Sequence, residues 1–299
     1  MGRRTLQPEP VFHLPAVIAA PPLRLALDTY NFEIDTGIAI VGSDPHWTVA
    51  QSTTTATRAL VHLVSKFAEE GSLRALILAG DLPDFGQVSR HAPLGWEKRG
   101  SLAEELKIVN ERLGEIKLVA GLGTQLVRVK GNHCARYDAR LAAVAPEFAG
   151  VRGFSLDEQL DPDWQPCMVC EINPGPFRLI VKHRHKGGAN AARGNVTAAG
   201  KSVATGHTHQ PNVVRLSNAA TGSFWGVDLG TMAALGSGSF AYTEGAASTG
   251  MAGWASSFGV FSFVGGRLLW PELVHVVDEA AGLVSFRGEL LRVAEGSLH

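Results

Sequence analysis

Cysteine is scarce in this chain: Cys134, Cys167 and Cys170 are the only three in 299 residues. So sparse and odd a set excludes a disulfide scaffold, and a reducing, cytoplasmic compartment is the simple reading. Cys167-Met168-Val169-Cys170 forms a CxxC. No second Cys pair or neighbouring His completes a zinc site, and the run is strand-like, so packed thiols are expected. Charge excess is also lacking: 27 Lys and Arg stand against 28 Asp and Glu, a net charge of −1. That excludes a generally basic nucleic-acid binder and leaves room for a local positive site. No apolar run reaches the length of a membrane span. The run Ala16-Val17-Ile18-Ala19-Ala20 is too short, and too closely flanked by Pro15 and Pro21-Pro22, for a signal peptide. A dinucleotide fingerprint is missing too, because Leu126 follows Gly121-Leu122-Gly123 where a third glycine belongs. With no internal repeat and no break in composition, one domain is expected over residues 31–299. An irregular, proline-stiffened arm over residues 1–30 precedes it.

What the chain does have is a series of short apolar runs that stop at chemistry-bearing residues. Ile38-Ala39-Ile40-Val41 reads as a buried strand and runs into Gly42-Ser43-Asp44-Pro45-His46-Trp47. Residues 49–70 carry Ala56, Leu60, Leu63, Val64 and Phe67 at helical period, ended by Gly71. Leu73 to Ala79 is the next strand and ends in Gly80-Asp81-Leu82-Pro83-Asp84. This strand–helix–strand order predicts a parallel βαβ unit. A polar loop over 85–100 and an amphipathic helix over 101–118 lead to a third strand, Gln125 to Lys130, ending in Gly131-Asn132-His133. Helix and loop are expected over 134–160. Phe177 to Lys182 is a strand that ends in His183-Arg184-His185-Lys186-Gly187-Gly188, and Ser202 to Thr205 ends in Gly206-His207-Thr208-His209. Short β runs follow near 213–215, 224–227, 258–264 and 273–277. Residues 230–257 are rich in Gly, Ala and Ser, and read as a long mobile loop or lid.

Five strand ends therefore carry metal-capable side chains: Asp44 with His46, Asp81, Asn132, His183, and His207 with His209. Residues i and i+2 of an extended segment point the same way, so each pair addresses one point. Each end has an ordinary structural explanation as well: an Asx-turn for Asp44, a helix N-cap for Asp81, an αL residue for Asn132, a solvated polar side chain for His183. Their joint occurrence outside the carboxyl ends of the strands of an α/β sheet points to a metal site. Carboxylate, imidazole and amide donors suit Mn, Fe or Zn. Seven ligands exceed one metal and match two divalent transition-metal ions that share a carboxylate. Two such ions carry about +4 against −2 from Asp44 and Asp81, which attracts phosphate even with a bridging hydroxide present. Hydrolysis further needs an acid for the leaving alkoxide. His133 is the candidate, with Asp84 orienting its ring; an eighth ligand or a donor outside the metal shell is the alternative for His133. Alternation does not separate His183 from His185 as the seventh ligand. His183 comes first after the apolar run, while Gly187-Gly188 loosens the segment around His185, so His183 is preferred. His185, with Arg184 and Lys186, is then free to meet a substrate phosphate.

Asp44-Pro45-His46, Gly80-Asp81-Leu82-Pro83-Asp84, Gly131-Asn132-His133, a strand-end His and Gly206-His207-Thr208-His209 stand in the order of the calcineurin-like metallophosphoesterase superfamily, which the chain resembles over residues 38–209. The resemblance implies an α/β fold in the form of a four-layer αββα sandwich. It implies Asp44, His46, Asp81 and His209 around one metal, and Asp81, Asn132, His183 and His207 around the other. Asp81 would bridge, and His133 would be the catalytic histidine. The chain departs from the protein Ser/Thr phosphatase branch, since Phe85 and Cys134 stand where that branch has Arg and Glu. It departs from purple acid phosphatases, since Asp84 stands in place of their tyrosine ligand. Gly222-Ser223-Phe224, Trp254 and Phe258-Gly259 resemble bacterial and phage members.

The activity expected is hydrolysis of phosphoesters by a metal-bridging hydroxide. Phosphodiesters are the first candidates, including nucleotides or single-stranded nucleic acid. Trp47, Trp96 and Trp254 are placed to stack a base and Arg90, Lys98 and Arg99 to meet phosphates, although a single Trp more often closes a core edge. A phosphomonoesterase, or a metal-stabilised binding protein without turnover, is the alternative.

Overall fold

The computed structural model describes residues 28–89, 99–218, 222–236, 240 and 252–293. Regular structure begins with β1 (Thr29–Phe32) and β2 (Gly37–Gly42). Helix α1 (Thr55–Glu69) leads to β3 (Leu73–Leu78), and α2 (Leu102–Ala120) to β4 (Gln125–Val129). Both helices start where an extended residue can satisfy orphan backbone donors. Thr54 accepts the Thr57 N–H, and Ser101 with Glu104 closes a capping box. β2, β3 and β4 pair in parallel, with Ile40 opposite Leu76 and Leu76 opposite Leu126. The predicted βαβ unit is therefore present.

The chain continues through α3 (Cys134–Val144), α4 (Leu156–Gln159), β5 (Gln165–Cys167), β6 (Val169–Ile172) and β7 (Leu179–Lys182). Helix α5 (Ala191–Ala199) precedes β8 (Ser202–Thr205), β9 (Asn212–Asn218) and β10 (Gly222–Asp228). The last strands are β11 (Ser257–Val264), β12 (Arg267–Leu268), β13 (Glu272–Asp278), β14 (Leu283–Phe286) and β15 (Glu289–Arg292). Among the described residues these strands form two sheets. One runs β1-β6-β7-β8-β10-β9; the other runs β15-β14-β13-β11-β2-β3-β4-β5, with β12 paired to β11.

Both faces of the larger sheet are buried. Leu60, Leu63, Phe67, Leu113 and Ile116 of the helices pack on Ile40, Leu76 and Leu78. Ala39, Val41, Ala75, Ile77 and Val127 point the other way, onto Cys170, Leu179, Val181 and Ala204 of the smaller sheet. On that sheet's outer side, Val196 of α5 meets Val203 and Phe224. Burial on two faces is why β2 and β3 read as continuous apolar runs rather than alternating ones.

The structure bears on several of these expectations. The arm gives way to β1 at Thr29, which pairs in parallel with Val169; residues 1–27 lie outside the described residues. The CxxC spans two strands of different sheets, Cys167 on β5 and Cys170 on β6. All three thiols are free and buried, and burial pushes their pKa values up. The segment read as a mobile lid is anchored where it is described. Thr231, Met232 and Ala233 are buried, and the Met232 and Ala233 N–H groups donate to the carbonyls of Ser43 (2.9 Å) and Asp44 (3.2 Å). Residues 237–239 and 241–251 of that segment, and Arg90, His91, Trp96 and Lys98, lie outside the described residues. No helix among the described residues is long and apolar enough to cross a membrane.

Candidate metal centre

Three strands of the larger sheet and two of the smaller end on one side and deliver the side chains. β2 leads to Asp44 and His46, β3 to Asp81, and β4 to Asn132 and His133. β7 leads to His183, and β8 to His207 and His209. Two close approaches explain glycines in the motifs. A Cβ at Gly131 would collide with the Asp81 carboxylate, and one at Gly206 with Ser43 Oγ and Asp44 Oδ2. Of the eight described non-glycine residues with positive φ, five belong here: Asp44, His46, Asp81, His207 and His209, with φ between 45° and 72°. Left-handed backbone at non-glycine residues is unfavourable and is retained where surrounding structure over-determines it.

Ligand atoms of Asp44, His46 and His209 lie within 4.8 Å of one another, and so do those of Asp81, His183 and His207. Asp44 Oδ1 is 3.2 Å from His209 Nε2 and 3.8 Å from His46 Nε2. Asp44 Oδ2 accepts the Ser43 hydroxyl and the His207 N–H (2.9 Å). Asp81 Oδ2 is 3.1 Å from His183 Nε2, and Asp81 Oδ1 accepts the His133 N–H at 2.7 Å. Asn132 Oδ1 is 2.9 Å from His183 Nε2. His183 Nδ1 lies 2.9 Å from the Ala79 carbonyl, which fixes that ring and leaves Nε2 facing the site. His185 is exposed and outside both groups.

Burial alone would raise the pKa of Asp44 and Asp81. The imidazoles around them outweigh it: Asp44 is held far below the ordinary carboxylate range and Asp81 falls to about 2. Burial would lower His183, yet Asp44 and Asp81 push it up to about 9 in the metal-free protein. Burial keeps His46 and His207 below the ordinary imidazole value. Buried carboxylates facing several imidazoles are the donor set of a divalent-cation site. Orphaned atoms fit this: His46 Nε2 and His209 Nδ1 are buried without a hydrogen-bond partner among the described residues. The His and Asp groups can therefore hold metal ions.

A third trio, His46, Asp84 and His133, flanks the first two. Asp84 Oδ1 lies 3.3 Å from His46 Nδ1 and 3.1 Å from His133 Nδ1. His133 Nδ1 also faces the Asp84 carbonyl at 2.8 Å. Burial would lower the His133 pKa, but the Asp84 contact and the Asp81 charge lift it above its ordinary value.

Three contributors escape a reading of motifs. Arg136, one turn along α3 from His133, donates to the Asp84 carbonyl (2.9 Å) and sits 3.0 Å from His133 Nε2. Glu105 of α2 is buried and accepts the Phe85 N–H at 2.7 Å, pinning the turn after Asp84 where Phe85 has φ 52°. Burial pushes its pKa up to about 7. Asp228 accepts the Thr208 hydroxyl and the Gly230 N–H (3.2 Å), tying the His207–His209 turn to the end of β10. Only the Arg136 position, one helical turn past Gly131-Asn132-His133, offers a signal in the sequence. The expected stacking residues fare unevenly. Trp47 is fully buried with Nε1 3.3 Å from Thr57 Oγ1, so it closes the core and does not stack a base. Trp254 packs edge-on against His209 at 4.4 Å and near Phe240 at 5.2 Å. Arg99 donates to the Gly86 carbonyl at 2.6 Å.

No family model matches the chain. A search of curated proteins finds no match either. Among solved structures, the crystal structure of Pseudomonas putida nuclease MPE aligns with 78% of this chain and 86% of that one. Identity is 18% and the TM-score 0.27.

Proposed function

We propose that this chain is a metal-dependent phosphoesterase that cleaves phosphodiesters of nucleotides or nucleic acid. The observation that carries this reading is the meeting of two acid–imidazole groups, Asp44–His46–His209 and Asp81–His183–His207, buried except for the half-buried His207, beside His133. Asp44, His46, Asp81 and His209 would hold one ion, and Asp81, Asn132, His183 and His207 a second; Mn is the first choice, Fe or Zn the others. Bound there, divalent ions polarise phosphoryl oxygens and lower the pKa of water. Helices outside the larger sheet, two facing sheets and α5 on the far side support a four-layer αββα arrangement. The free, buried thiols support a reducing, cytoplasmic location.

The chain's own residues divide the remaining work. His133 gives the leaving oxygen its proton, and Asp84, on Nδ1, holds the ring and favours its cationic form. Glu105 keeps the Asp84–Phe85 turn in place, and Asp228 does the same for the His207–His209 turn. Trp254 and Phe240 cover His209 from the outer side and exclude water there. Turnover of a chromogenic phosphodiester with Mn²⁺, and its loss on chelation, tests the reading. Metal binding without turnover of diesters, monoesters or single-stranded DNA would instead identify a non-catalytic binding protein.

A further inference from the structure

Arg136 is a cation 3.0 Å from the candidate acid. A guanidinium has five N–H donors and no acceptor. Nη1 donates to the Asp84 carbonyl and Nη2 lies against His133 Nε2. His133 Nε2 must therefore present its lone pair, and the ring proton sits on Nδ1, toward Asp84. Arg112, Arg128, Arg178 and Arg287 each reach a carboxylate. Arg136 pairs with no carboxylate among the described residues, and its named partners are a carbonyl and a neutral ring nitrogen. Among the described residues its charge thus has no carboxylate partner, and it lies one imidazole away from Asp81, whose Oδ2 is 3.9 Å from His133 Nε2.

We propose that Arg136 is a substrate-binding residue that takes a non-bridging phosphoryl oxygen of the ester. In doing so it leaves His133 Nε2. This deepens the phosphoesterase reading and rests on it. A phosphoryl oxygen is a charged acceptor, whereas the carbonyl and the imidazole are neutral, so the guanidinium gains by the exchange.

The experiment compares wild type, Arg136→Ala and Arg136→Lys, all loaded with Mn²⁺. Calorimetry measures binding of inorganic phosphate, and kinetics with a chromogenic phosphodiester gives KM and kcat. Metal analysis and thermal melting accompany both. Loss of a charge-assisted contact should raise the phosphate Kd and KM in Arg136→Ala by about 10–100-fold, with unchanged metal content. Arg136→Lys should recover part of the loss. A phosphate Kd within twofold of wild type in folded, metal-loaded Arg136→Ala overturns the proposal and leaves Arg136 as a tether for Asp84 and His133. If Arg136→Ala loses metal or fold, Arg136→Gln is measured by the same criterion. If wild type turns over no phosphoester while phosphate affinity still falls in the variant, the phosphoesterase reading fails and the anion contact stands. If wild type turns over phosphodiester and Arg136→Ala matches it in KM and phosphate Kd, the anion contact fails and the phosphoesterase reading stands.

Discussion

Asp81 Oδ2 and His183 Nε2 are 3.1 Å apart although the two residues leave different sheets, Asp81 after β3 and His183 after β7. The contact exists only because the two sheets face each other closely. Small residues at Ala39, Ala75, Ala79 and Ala204 lie in the layer between them, and Ala79 and Ala204 stand next to the strand ends. Packing and chemistry are thus tied at this point: the core between the sheets sets the distance across the candidate centre.

The first expected outcome concerns Asp81, proposed above to serve both ions. Metal analysis of the purified chain should find two divalent ions, and chelation should abolish phosphodiester turnover. Asp81→Asn should lower the affinity of both sites, because Asp81 faces His183 through one oxygen and anchors the His133 backbone through the other. Full activity in metal-free protein would remove the basis of the reading.

His183 and His185 are separated by a second test. His183 is buried with Nε2 on Asp81 and Asn132, whereas His185 is exposed between Arg184 and Lys186. His183→Ala should cost one of the two metals. His185→Ala should retain both and, at most, raise KM. The reverse pattern in bound metal would exchange the two roles.

A third outcome follows from Glu105. Its carboxyl is pushed from 4.5 up to about 7 in the folded chain, burial being the main cause. Between those values the folded chain holds a proton that the unfolded chain has released, so this contribution to stability falls as pH rises from about 4.5 to about 7. Glu105→Gln keeps an acceptor for the Phe85 N–H and removes the titration. The melting temperature of the variant relative to wild type, both metal-free, should therefore be higher at pH 8 than at pH 5. An equal difference at both values would mean that the carboxyl titrates alike in folded and unfolded chains.

The strands that deliver the candidate centre are legible because a strand buried on both faces leaves an unbroken apolar run, as in Ile38 to Val41 and Ala75 to Leu78. The chemistry-bearing residues stand out because each follows such a run directly. Helix α5 is not legible, because Ala191 to Ala199 carries Ala, Gly and Asn where an amphipathic period would show. The β14–β15 hairpin turns through Arg287 and Gly288, both at positive φ, a turn that Arg does not advertise. The left-handed backbone at Asp44, His46, Asp81, His207 and His209 also has no local signature, since it is imposed by contacts such as His46 N–H to the Asp81 carbonyl. Glu105 and Asp228 act across long gaps in sequence, and motif spacing does not contain such contacts.

The last prediction isolates His133. If Nε2 delivers a proton to the leaving oxygen, its value depends on how badly that oxygen needs one. His133→Ala should lower kcat by ~10²–10⁴-fold for an alkyl phosphodiester. The defect should shrink for a nitrophenyl ester, whose leaving group departs as a stable anion. Bound metal should stay near the wild-type level, because the Asp81 contact that His133 makes outside its ring comes from its backbone N–H and survives the substitution. Asp84→Asn should show the same leaving-group trend more weakly, since Asn can still accept from Nδ1 but no longer stabilises the imidazolium. Asp84 also faces His46 at 3.3 Å, so its metal content must be measured alongside. Equal defects for good and poor leaving groups in His133→Ala would remove it from proton transfer and make it a binding residue.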